Sequence, residues 1–249
     1  HRISATGNSL INRLVGNSGD NTLDGKAGAD IMEGWVGNDT YYVDDPGDVV
    51  IDFIGNDHVF ASIDRTLSPG LDDLTLIGDA VTAIGNDTSN ELVGTDKANI
   101  LDGRDGRDIL TGGGGGDVFV IRSAIRGSRA DVITDFNAAA GDRLALPSYM
   151  FGANSLPDVE TASSFSGLLS ALKTDSDLVY NTQNGYLYYN GNGSGHGLGS
   201  DGGLLAVFPN KPSGIDSFIP LPDPFQENLT PEKLAPLLTV SPLPIPSDS

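Results

Sequence analysis

Asparagine or aspartate recurs at every ninth residue in two separate stretches of the sequence. The first stretch has Asn12, Asn21, Asp30 and Asp39, and the second has Asn90, Asn99, Asp108 and Asp117. If two nine-residue units make one turn of a stacked fold, side chains 18 residues apart become neighbours. The predicted pairs are Asn12 with Asp30, Asn21 with Asp39, Asn90 with Asp108, and Asn99 with Asp117. A flexible, all-oxygen ligand set suits Ca²⁺ rather than zinc or copper, so each pair is a candidate calcium site.

These pairs also indicate how many calcium ions the chain binds and how tightly each site binds its ion. Four pairs predict several calcium ions, about four or more. In every pair the earlier member is Asn and the later member is Asp. Each site then holds fewer carboxylates than an Asp–Asp pair, which indicates modest affinity, with dissociation constants on the order of 10⁻⁴ to 10⁻³ M.

Glycine accompanies these side chains at fixed places. Every unit begins with Gly, from GNSLINRLV at residue 7 to GGGGGDVFV at residue 112, and five of the eight units also have Gly at the fourth place. Glycine allows left-handed backbone angles, so the first six residues of a unit can wrap tightly and bring carbonyl oxygens near a cation. The glycines predicted to contribute to the metal sites are Gly16, Gly19, Gly25, Gly28, Gly34, Gly37, Gly103, Gly106, Gly112, Gly114 and Gly115.

The last three residues of each unit are predicted to form a short strand whose eighth-place side chain points inward. These side chains are Leu14, Leu23, Met32, Tyr41, Leu92, Leu101, Leu110 and Phe119. One unit cannot bury such a side chain alone, whereas stacked units share a continuous apolar ladder. The predicted fold is therefore all-β: a right-handed parallel β-roll in two repeat blocks, followed by a β-rich C-terminal cap with one short helix.

The units GKAGADIME, GRDGRDILT and GGGGGDVFV resemble the G-G-x-G-x-D-x-U-x nonapeptide of the hemolysin-type calcium-binding repeats, the repeats-in-toxin (RTX) family. Residues 41–80 are similar to the connector that separates repeat blocks in such proteins. The segment from Asp117 resembles the one that follows the last repeat, with Asp131, Asp135 and Asp142 at its acidic positions. The resemblance implies a β-roll, calcium-induced folding and export by a type I pathway that reads an uncleaved C-terminal signal.

The remaining patterns divide the chain into five regions. They are a first repeat block (1–42), a β-rich connector (43–84), a second repeat block (85–120), a capping and secretion region (121–218) and a Pro-rich tail (219–249). The connector alternates apolar and polar residues, so it should continue the sheet with longer loops. An amphipathic helix is predicted at 163–174, with Phe165, Leu168, Leu169 and Leu172 on one face. A hairpin is predicted at 178–189 and a short helix opening at Thr230-Pro231.

Composition excludes several classes of function. With 34 acidic and 14 basic residues the formal charge is −20, which argues against nucleic acid or anionic membrane as a partner and suits a protein that collects cations. The absence of cysteine excludes disulfides and Cys-based zinc sites. No apolar run reaches the roughly 20 residues of a membrane span, so no transmembrane segment is expected.

No catalytic signature is present, since H-E-x-x-H and G-x-S-x-G are both missing. His58 and His196 lack metal-ligand spacing. The chain is therefore predicted not to be an enzyme, and any catalytic domain is expected upstream of His1.

The sequence thus predicts a secreted module, extracellular or at the cell surface, that folds on external Ca²⁺. Its role would be to support type I secretion and the stability of a larger bacterial protein, with calcium and the type I secretion machinery as partners. Two alternatives stay open: a calcium-dependent structural, adhesin or surface-layer module, and an accessory polysaccharide-binding module of a secreted enzyme. Self-association and glycan binding are the partner classes that these alternatives imply. For a glycan, Trp35, Tyr41 and Tyr42 are the candidate aromatic platform, although Tyr41 occupies an inward repeat place.

Overall fold

The repeats fold as stacked turns, in a computed structural model that describes residues 1–122, 130–147, 157–191, 202–215, 217–221 and 230–239. Each unit begins with a tight loop and ends in a strand of about three residues. Successive strands alternate between opposite faces, so two units complete one turn. The result is a parallel β-solenoid of about nine turns, and the predicted parallel β-roll is confirmed.

Three sheets make up the solenoid within the described residues. One face is a twelve-stranded sheet, in the order β1 (Ser4–Thr6), β3 (Thr22–Asp24), β5 (Thr40–Val43), β7 (His58–Ala61), β9 (Asp73–Leu76), β11 (Glu91–Val93), β13 (Ile109–Thr111), β15 (Asp131–Ile133), β20 (Gly203–Val207), β19 (Tyr186–Tyr189), β18 (Leu178–Asn181) and β17 (Val159–Ala162). The opposite face is divided into two smaller sheets. The first has β2 (Arg13–Val15), β4 (Ile31–Val36) and β6 (Val49–Ile54); the second has β8 (Arg65–Thr66), β10 (Thr82–Ile84), β12 (Ile100–Asp102), β14 (Val118–Val120), β16 (Arg143–Pro147) and β21 (Phe218–Leu221).

The connector continues the solenoid, with one irregular turn. Strand β5 pairs with β7 at an offset of 18 residues, as Tyr41 with Val59, but β7 pairs with β9 at an offset of 15, as Val59 with Leu74. The turn that is three residues short coincides with the break between the two smaller sheets, since β6 and β8 do not pair. Across the break the Arg65 side chain donates a hydrogen bond to the Asp48 carbonyl oxygen at 3.1 Å.

The core is a ladder of the eighth-place side chains. Seven of the eight predicted inward residues have no measurable exposure: Leu23, Met32, Tyr41, Leu92, Leu101, Leu110 and Phe119. Leu14 is half-buried and packs against the same core, because a stacked neighbour covers its strand on one side only. Within the connector, Val50, Val59 and Leu74 fill the equivalent places. The same apolar ladder therefore runs through both repeat blocks and the segment between them.

The C-terminal part caps the roll. Helix α1 (Phe165–Ala171) begins after the Ser164 cap, so the predicted helix is confirmed but is shorter than expected. Leu168 is buried against β17 and β18, whereas Phe165 and Leu169 are 69% and 47% exposed. Only part of the predicted apolar face is therefore buried, because the helix is only two turns long and packs on β17 and β18 mainly through Leu168 and Leu172. The predicted hairpin is confirmed as antiparallel β18 and β19.

Part of the Pro-rich tail packs on the roll. Strand β21 extends the six-stranded sheet. Farther along, helix α2 (Pro231–Leu234) begins after Thr230 as predicted and continues as a 3-10 segment to Thr239. Leu234 and Leu237 are buried there against Ile84, Ile100 and Val118, on the outer face of the six-stranded sheet. Among the described residues, no helix is long and apolar enough to cross a membrane.

Candidate metal centre

The sixth-place side chains form ladders along the two edges of the roll, where the loops stack. In each predicted pair the backbone N–H of the earlier residue donates to Oδ1 of the later Asp. The distances are 2.6 Å for Asn12 and Asp30, 2.5 Å for Asn21 and Asp39, and 2.8 Å for both Asn90 with Asp108 and Asn99 with Asp117. The structure thus brings all four predicted pairs together, because a spacing of 18 residues is one full turn.

The turns with Asn at the sixth place satisfy their own hydrogen bonds. In each of them Asn Oδ1 accepts from the N–H of the second-place residue. The distances are 2.6 Å for Asn8 to Asn12, 2.6 Å for Asn17 to Asn21, 2.8 Å for Asn86 to Asn90, and 2.6 Å for Thr95 to Asn99. The amide nitrogen has partners too, since Asn90 Nδ2 donates to the Asp72 carbonyl oxygen at 2.9 Å. We call these the Asn turns.

The turns with Asp at the sixth place, which we call the Asp turns, differ in backbone conformation. Their second-place residues have left-handed φ angles: 63° at Lys26, 86° at Trp35, 68° at Arg104 and 91° at Gly113. The second-place N–H therefore points elsewhere, as in Arg104, which donates to Asp102 Oδ1 at 3.1 Å. As a result Oδ2 of Asp30, Asp39 and Asp108 is buried and has no hydrogen-bond partner in the described structure. A buried carboxylate oxygen without a donor indicates a cation ligand, since leaving it alone is costly.

Burial changes the ionisation of these carboxyls. Desolvation, reinforced by the nearby Asp131, raises the pKa of Asp108 to about 8. Desolvation also raises the pKa of Asp117 to about 7 and that of Asp39 to about 6. In the metal-free chain the protonated form of Asp108 is therefore favoured at neutral pH, and the charged forms of Asp117 and Asp39 are less favoured than those of ordinary carboxyls. A bound divalent cation would compensate the charge and restore the ionised form.

The first-place glycines are required because the sixth-place side chain folds over them. A methyl group at Gly25 would collide with Asp30 Oδ2, at Gly103 with Asp108 Oδ2, and at Gly112 with Asp117 Oδ2. In the Asn turns the same holds for Gly16 and Asn21. A carbonyl oxygen joins each Asn oxygen: in the second block, Gly103 O and Asn90 Oδ1 both approach the space beside Gly85. These contacts fit the predicted mixture of side-chain and glycine carbonyl oxygens.

The other predicted glycines allow the loops to stack closely. Gly28, Gly37, Gly106 and Gly115 have φ angles of 117°, 131°, 140° and 100°. Each lies against the backbone of the loop one turn earlier, as does Gly19 against His1 and Gly114 against Asp96. The structure therefore places every predicted glycine in a ladder loop, and their roles as calcium ligands stay predictions.

The ladders extend beyond the predicted pairs. Asp48 Oδ1 accepts from Asp30 N–H at 2.9 Å, and Asp57 Oδ1 accepts from Asp39 N–H at 2.8 Å. At the other end, Asp131 and Asp142 accept in the same way from Asp108 and Asp117, at 3.0 and 2.9 Å. The family resemblance pointed to Asp131 and Asp142. Asp48 and Asp57 were missed, although counting on by 18 from Asp30 and Asp39 would have found them.

One further group of carboxylates shares Asp39 with the Asn21–Asp39 pair and adds a residue from outside the ladders. One carboxylate oxygen from each of Asp39, Asp52 and Asp57 lies within 4.8 Å of the others, and all three residues are buried. Tyr41 donates a hydrogen bond to Asp52 Oδ2 at 2.5 Å from the core side. Asp52 has no counterpart among the predicted ligands. The signal in the sequence is an acidic residue at a place where the units of the two repeat blocks have glycine.

The histidine and aromatic candidates have structural contacts. His58 Nε2 lies 2.8 Å from Thr75 Oγ1, and the ring stacks on Phe60 with centroids 4.4 Å apart. His196 lies outside the described residues. Trp35 is 60% exposed, but Tyr41 is fully buried and so is not available for a surface platform with Trp35 and Tyr42.

Comparison with known families agrees with this geometry. The family model of the RTX calcium-binding nonapeptide repeat, in four copies, matches residues 6–41 and residues 84–119. Both matches coincide with the stretches that hold the Asn and Asp turns, and they leave the connector unmatched. Among curated proteins there is no significant match.

Proposed function

We propose, from the premise that this chain is an RTX-type calcium-binding repeat protein, that calcium controls its folding. The calcium-free chain would be largely unfolded, and the ladders would close around the ions as the roll forms. Asp30, Asp39, Asp108 and Asp117 are the proposed carboxylate ligands, with Asn12, Asn21, Asn90, Asn99 and the loop glycines completing the sites.

The observation that carries this proposal is the set of buried, unpartnered Oδ2 atoms in the Asp turns. Asp108 has no exposed surface, yet among the described residues no Lys or Arg side chain forms a salt bridge with it. Elsewhere the chain does pair a buried carboxylate, since Arg122 binds Asp102 through both oxygens, at 2.9 Å and 2.5 Å. Asp30, Asp39 and Asp108 thus each offer a ligand oxygen for a cation, and no described residue donates a hydrogen bond to that oxygen in place of one.

Modest sites are sufficient for a switch when several act together. At a calcium concentration ten times the dissociation constant, one site stabilises the folded state by about 1.4 kcal/mol, and four sites by roughly 6 kcal/mol. The net stability of a typical domain is about 5–15 kcal/mol. Occupancy of the ladder is therefore large enough to decide whether the roll is folded.

We propose that this switch serves export. In a cytoplasm low in calcium, the chain with its charge of −20 would remain extended and suitable for a type I secretion channel. External calcium would then fold it, outside the cell or at the cell surface. The module would support the secretion and stability of a larger bacterial protein whose activity resides upstream.

The test is a calcium titration of the chain stripped of metal, followed by far-ultraviolet circular dichroism, with magnesium as the control ion. We expect a gain of β-structure in the millimolar range, on the order of 10⁻⁴ to 10⁻³ M, that a chelator reverses and magnesium does not reproduce. Asp108→Asn should reduce the calcium-dependent stabilisation by about 1.4 kcal/mol at ten times the dissociation constant.

Asp79→Asn is the matched control, because Asp79 is 92% exposed and contacts Lys97 rather than a ladder. It should titrate like the unaltered chain. A spectrum that is equally folded before and after removal of calcium would refute the folding switch and would leave the repeats as a static scaffold.

A second candidate function, assembly of a surface layer or an adhesin, is favoured by one exposed face. The outer side of the β2–β4–β6 sheet presents Trp35, Phe53 and Ile54, which are 60%, 75% and 58% exposed. The equivalent side of the six-stranded sheet is covered by Leu234 and Leu237. Sedimentation of the calcium-loaded chain separates the two functions, since oligomers that require calcium would favour assembly.

A further inference from the structure

Asp52 occupies an unusual place in the repeat pattern. The connector segment DFIGNDHVF, residues 52–60, has Gly at its fourth place, Asp57 at its sixth and the fully buried Val59 at its eighth. It is therefore a further unit of the roll, with Asp52 at the first place, where the repeat blocks have glycine. All eight units of the repeat blocks have glycine at the first place, so none of them brings a carboxylate into the interior there as Asp52 does.

The oxygens of this unit converge with those of the preceding turn. One oxygen from each of Asp39, Asp52 and Asp57 lies within 4.8 Å of the other two. The space between them exists because residue 34 is glycine: a methyl group on Gly34 would collide with Asp39 Oδ2, Asp52 Oδ2 and the Tyr41 hydroxyl. The three Asp residues are 1%, 2% and 0% exposed. The result is a small, buried, oxygen-lined space.

Hydrogen bonds account for only some of these oxygens. Asp52 Oδ1 accepts from Phe53 N–H at 2.7 Å, and Asp52 Oδ2 accepts from the Tyr41 hydroxyl. Oδ1 of Asp39 and Oδ1 of Asp57 accept backbone N–H groups of the ladder. Oδ2 of Asp39 and Oδ2 of Asp57 have no hydrogen-bond partner, and no salt bridge in the described ranges reaches any of the three carboxyls. Two fully buried, unpartnered oxygens thus belong to one cluster of three acids.

We infer that Asp39, Asp52 and Asp57 together hold one Ca²⁺, more tightly than any Asn–Asp pair of the repeat blocks. Three carboxylates bring more negative charge to the ion than the single carboxylate of a pair, and calcium affinity rises with the number of charged ligands. Asp52 and Asp57 lie outside the segments that match the repeat family. The inference rests on the proposed function only for the identity of the ion.

The position of this site gives it a role in the order of folding. Asp52 is in β6, the last strand before the break between the smaller sheets, and Asp57 precedes β7 in the continuous sheet. An ion held by Asp39, Asp52 and Asp57 ties the first repeat block to the connector on both faces. As the tightest site it fills first, and the roll then grows outward from this turn as calcium rises.

Isothermal titration of Ca²⁺ into the metal-free full chain tests the inference, because it counts ions in each affinity class. We expect one ion to bind at least ~10-fold more tightly than the rest, as its additional carboxylates require. In Asp52→Asn that tight ion should be lost while the weaker ions bind as before, since the amide oxygen can still accept from Tyr41. Asp79→Asn should retain the tight ion.

Retention of the tight ion in Asp52→Asn would overturn the inference, as would a single affinity class in the unaltered chain. If Asp52→Asn does not fold at any calcium concentration, Asp57→Asn provides the second test. Retention of the tight ion in that variant would also overturn the inference. These results are separate from the proposed function. A chain that folds with calcium but titrates identically in both variants disproves this site alone, whereas a chain indifferent to calcium disproves the folding switch.

Discussion

The Asn turns and the Asp turns of each repeat block stack in the same ladders, but they differ in backbone conformation at the second place and satisfy their buried groups differently. In the Asn turns, Oδ1 of Asn90 accepts from the second-place N–H and Nδ2 donates to the turn before. In the Asp turns, the left-handed residue Arg104 turns that N–H away, and Oδ2 of Asp108 is left unpartnered. An amide completes its loop without help, whereas a carboxylate in the same place needs a cation. On the proposed function, this one oxygen atom in each turn decides which turns of a block depend on calcium.

The largest effect expected from this comparison is the pH dependence of the folding stability of the metal-free chain. Burial raises the pKa of Asp57 to about 7 and that of Asp108 to about 8, while the unfolded values stay near 3.8. The folded state therefore binds these protons more strongly, so its stability is greatest below about pH 4 and is lost as the pH rises through 6 to 8. We expect the folding free energy of the metal-free chain to fall by roughly 2 kcal/mol or more between about pH 5 and about pH 8, which circular dichroism detects as a loss of β-structure.

Calcium should abolish this dependence, because the ligands must be deprotonated to bind the ion. At saturating calcium these carboxyls are deprotonated in both the folded and the unfolded chain, so stability should be nearly independent of pH over the same interval. A metal-free chain whose stability is flat or increases with pH would show that the Asp turns are not strained by their charge, and the contrast with the Asn turns would fail.

An intermediate effect is expected when an Asn turn is converted into an Asp turn. Asn90→Asp removes the Nδ2 donor of the Asp72 carbonyl and adds a negative charge beside Asp108, whose Oδ1 accepts from the backbone of residue 90. Without calcium the variant should lose about 1–3 kcal/mol of unfolding free energy. With calcium it should bind the ion of that pair more tightly, because the pair now has two carboxylates.

Urea unfolding at the lowest calcium concentration that keeps the chain folded, and at saturating calcium, measures both effects on the same sample. Equal destabilisation in the two conditions would mean that the added carboxylate does not face an ion. The Asp79→Asn change, at an exposed position, again supplies the reference for a simple change of charge.

The smallest effect should come from the second place of an Asp turn. Arg104 has a φ of 68°, a conformation that glycine adopts without strain, and Gly113 holds the same place in the next unit. Arg104→Gly should stabilise the chain by about 1 kcal/mol whether or not calcium is bound. The same change at Asn8, in an Asn turn without a left-handed angle, should destabilise it. Thermal unfolding of the two variants measures the difference, and equal shifts would contradict the distinction between the turns.

Much of the fold was accessible from the sequence because the repeat leaves little freedom. A fixed period places Leu23 and Tyr41 in the core and brings Asn21 beside Asp39, and the Ser and Gly signals located helix α1 and the β18–β19 hairpin. These features depend on local residue types and on the constant nine-residue length of the repeat unit. The hydrogen-bonded register then follows from geometry alone.

The parts that could not be predicted depend on departures from the repeat. Asp52 stands where glycine is expected. Its place in a buried cluster depends on contacts with Tyr41 and Gly34 that only the structure shows. The shortened turn between Val59 and Leu74 has no periodic signal, so the break between the smaller sheets was invisible. Leu234 packs against Ile100, and these two residues are too far apart in the sequence for a local pattern to predict their contact.

The break between β6 and β8 also determines how the molecule can bend. Over most of the roll, neighbouring turns are joined by β-sheet hydrogen bonds on both faces. At the short turn, among the described residues, only the twelve-stranded sheet continues across. We therefore expect this turn to resist bending less than the turns that are hydrogen-bonded on both faces. The hydrogen bond from Arg65 to the Asp48 carbonyl oxygen crosses the break and should limit such bending.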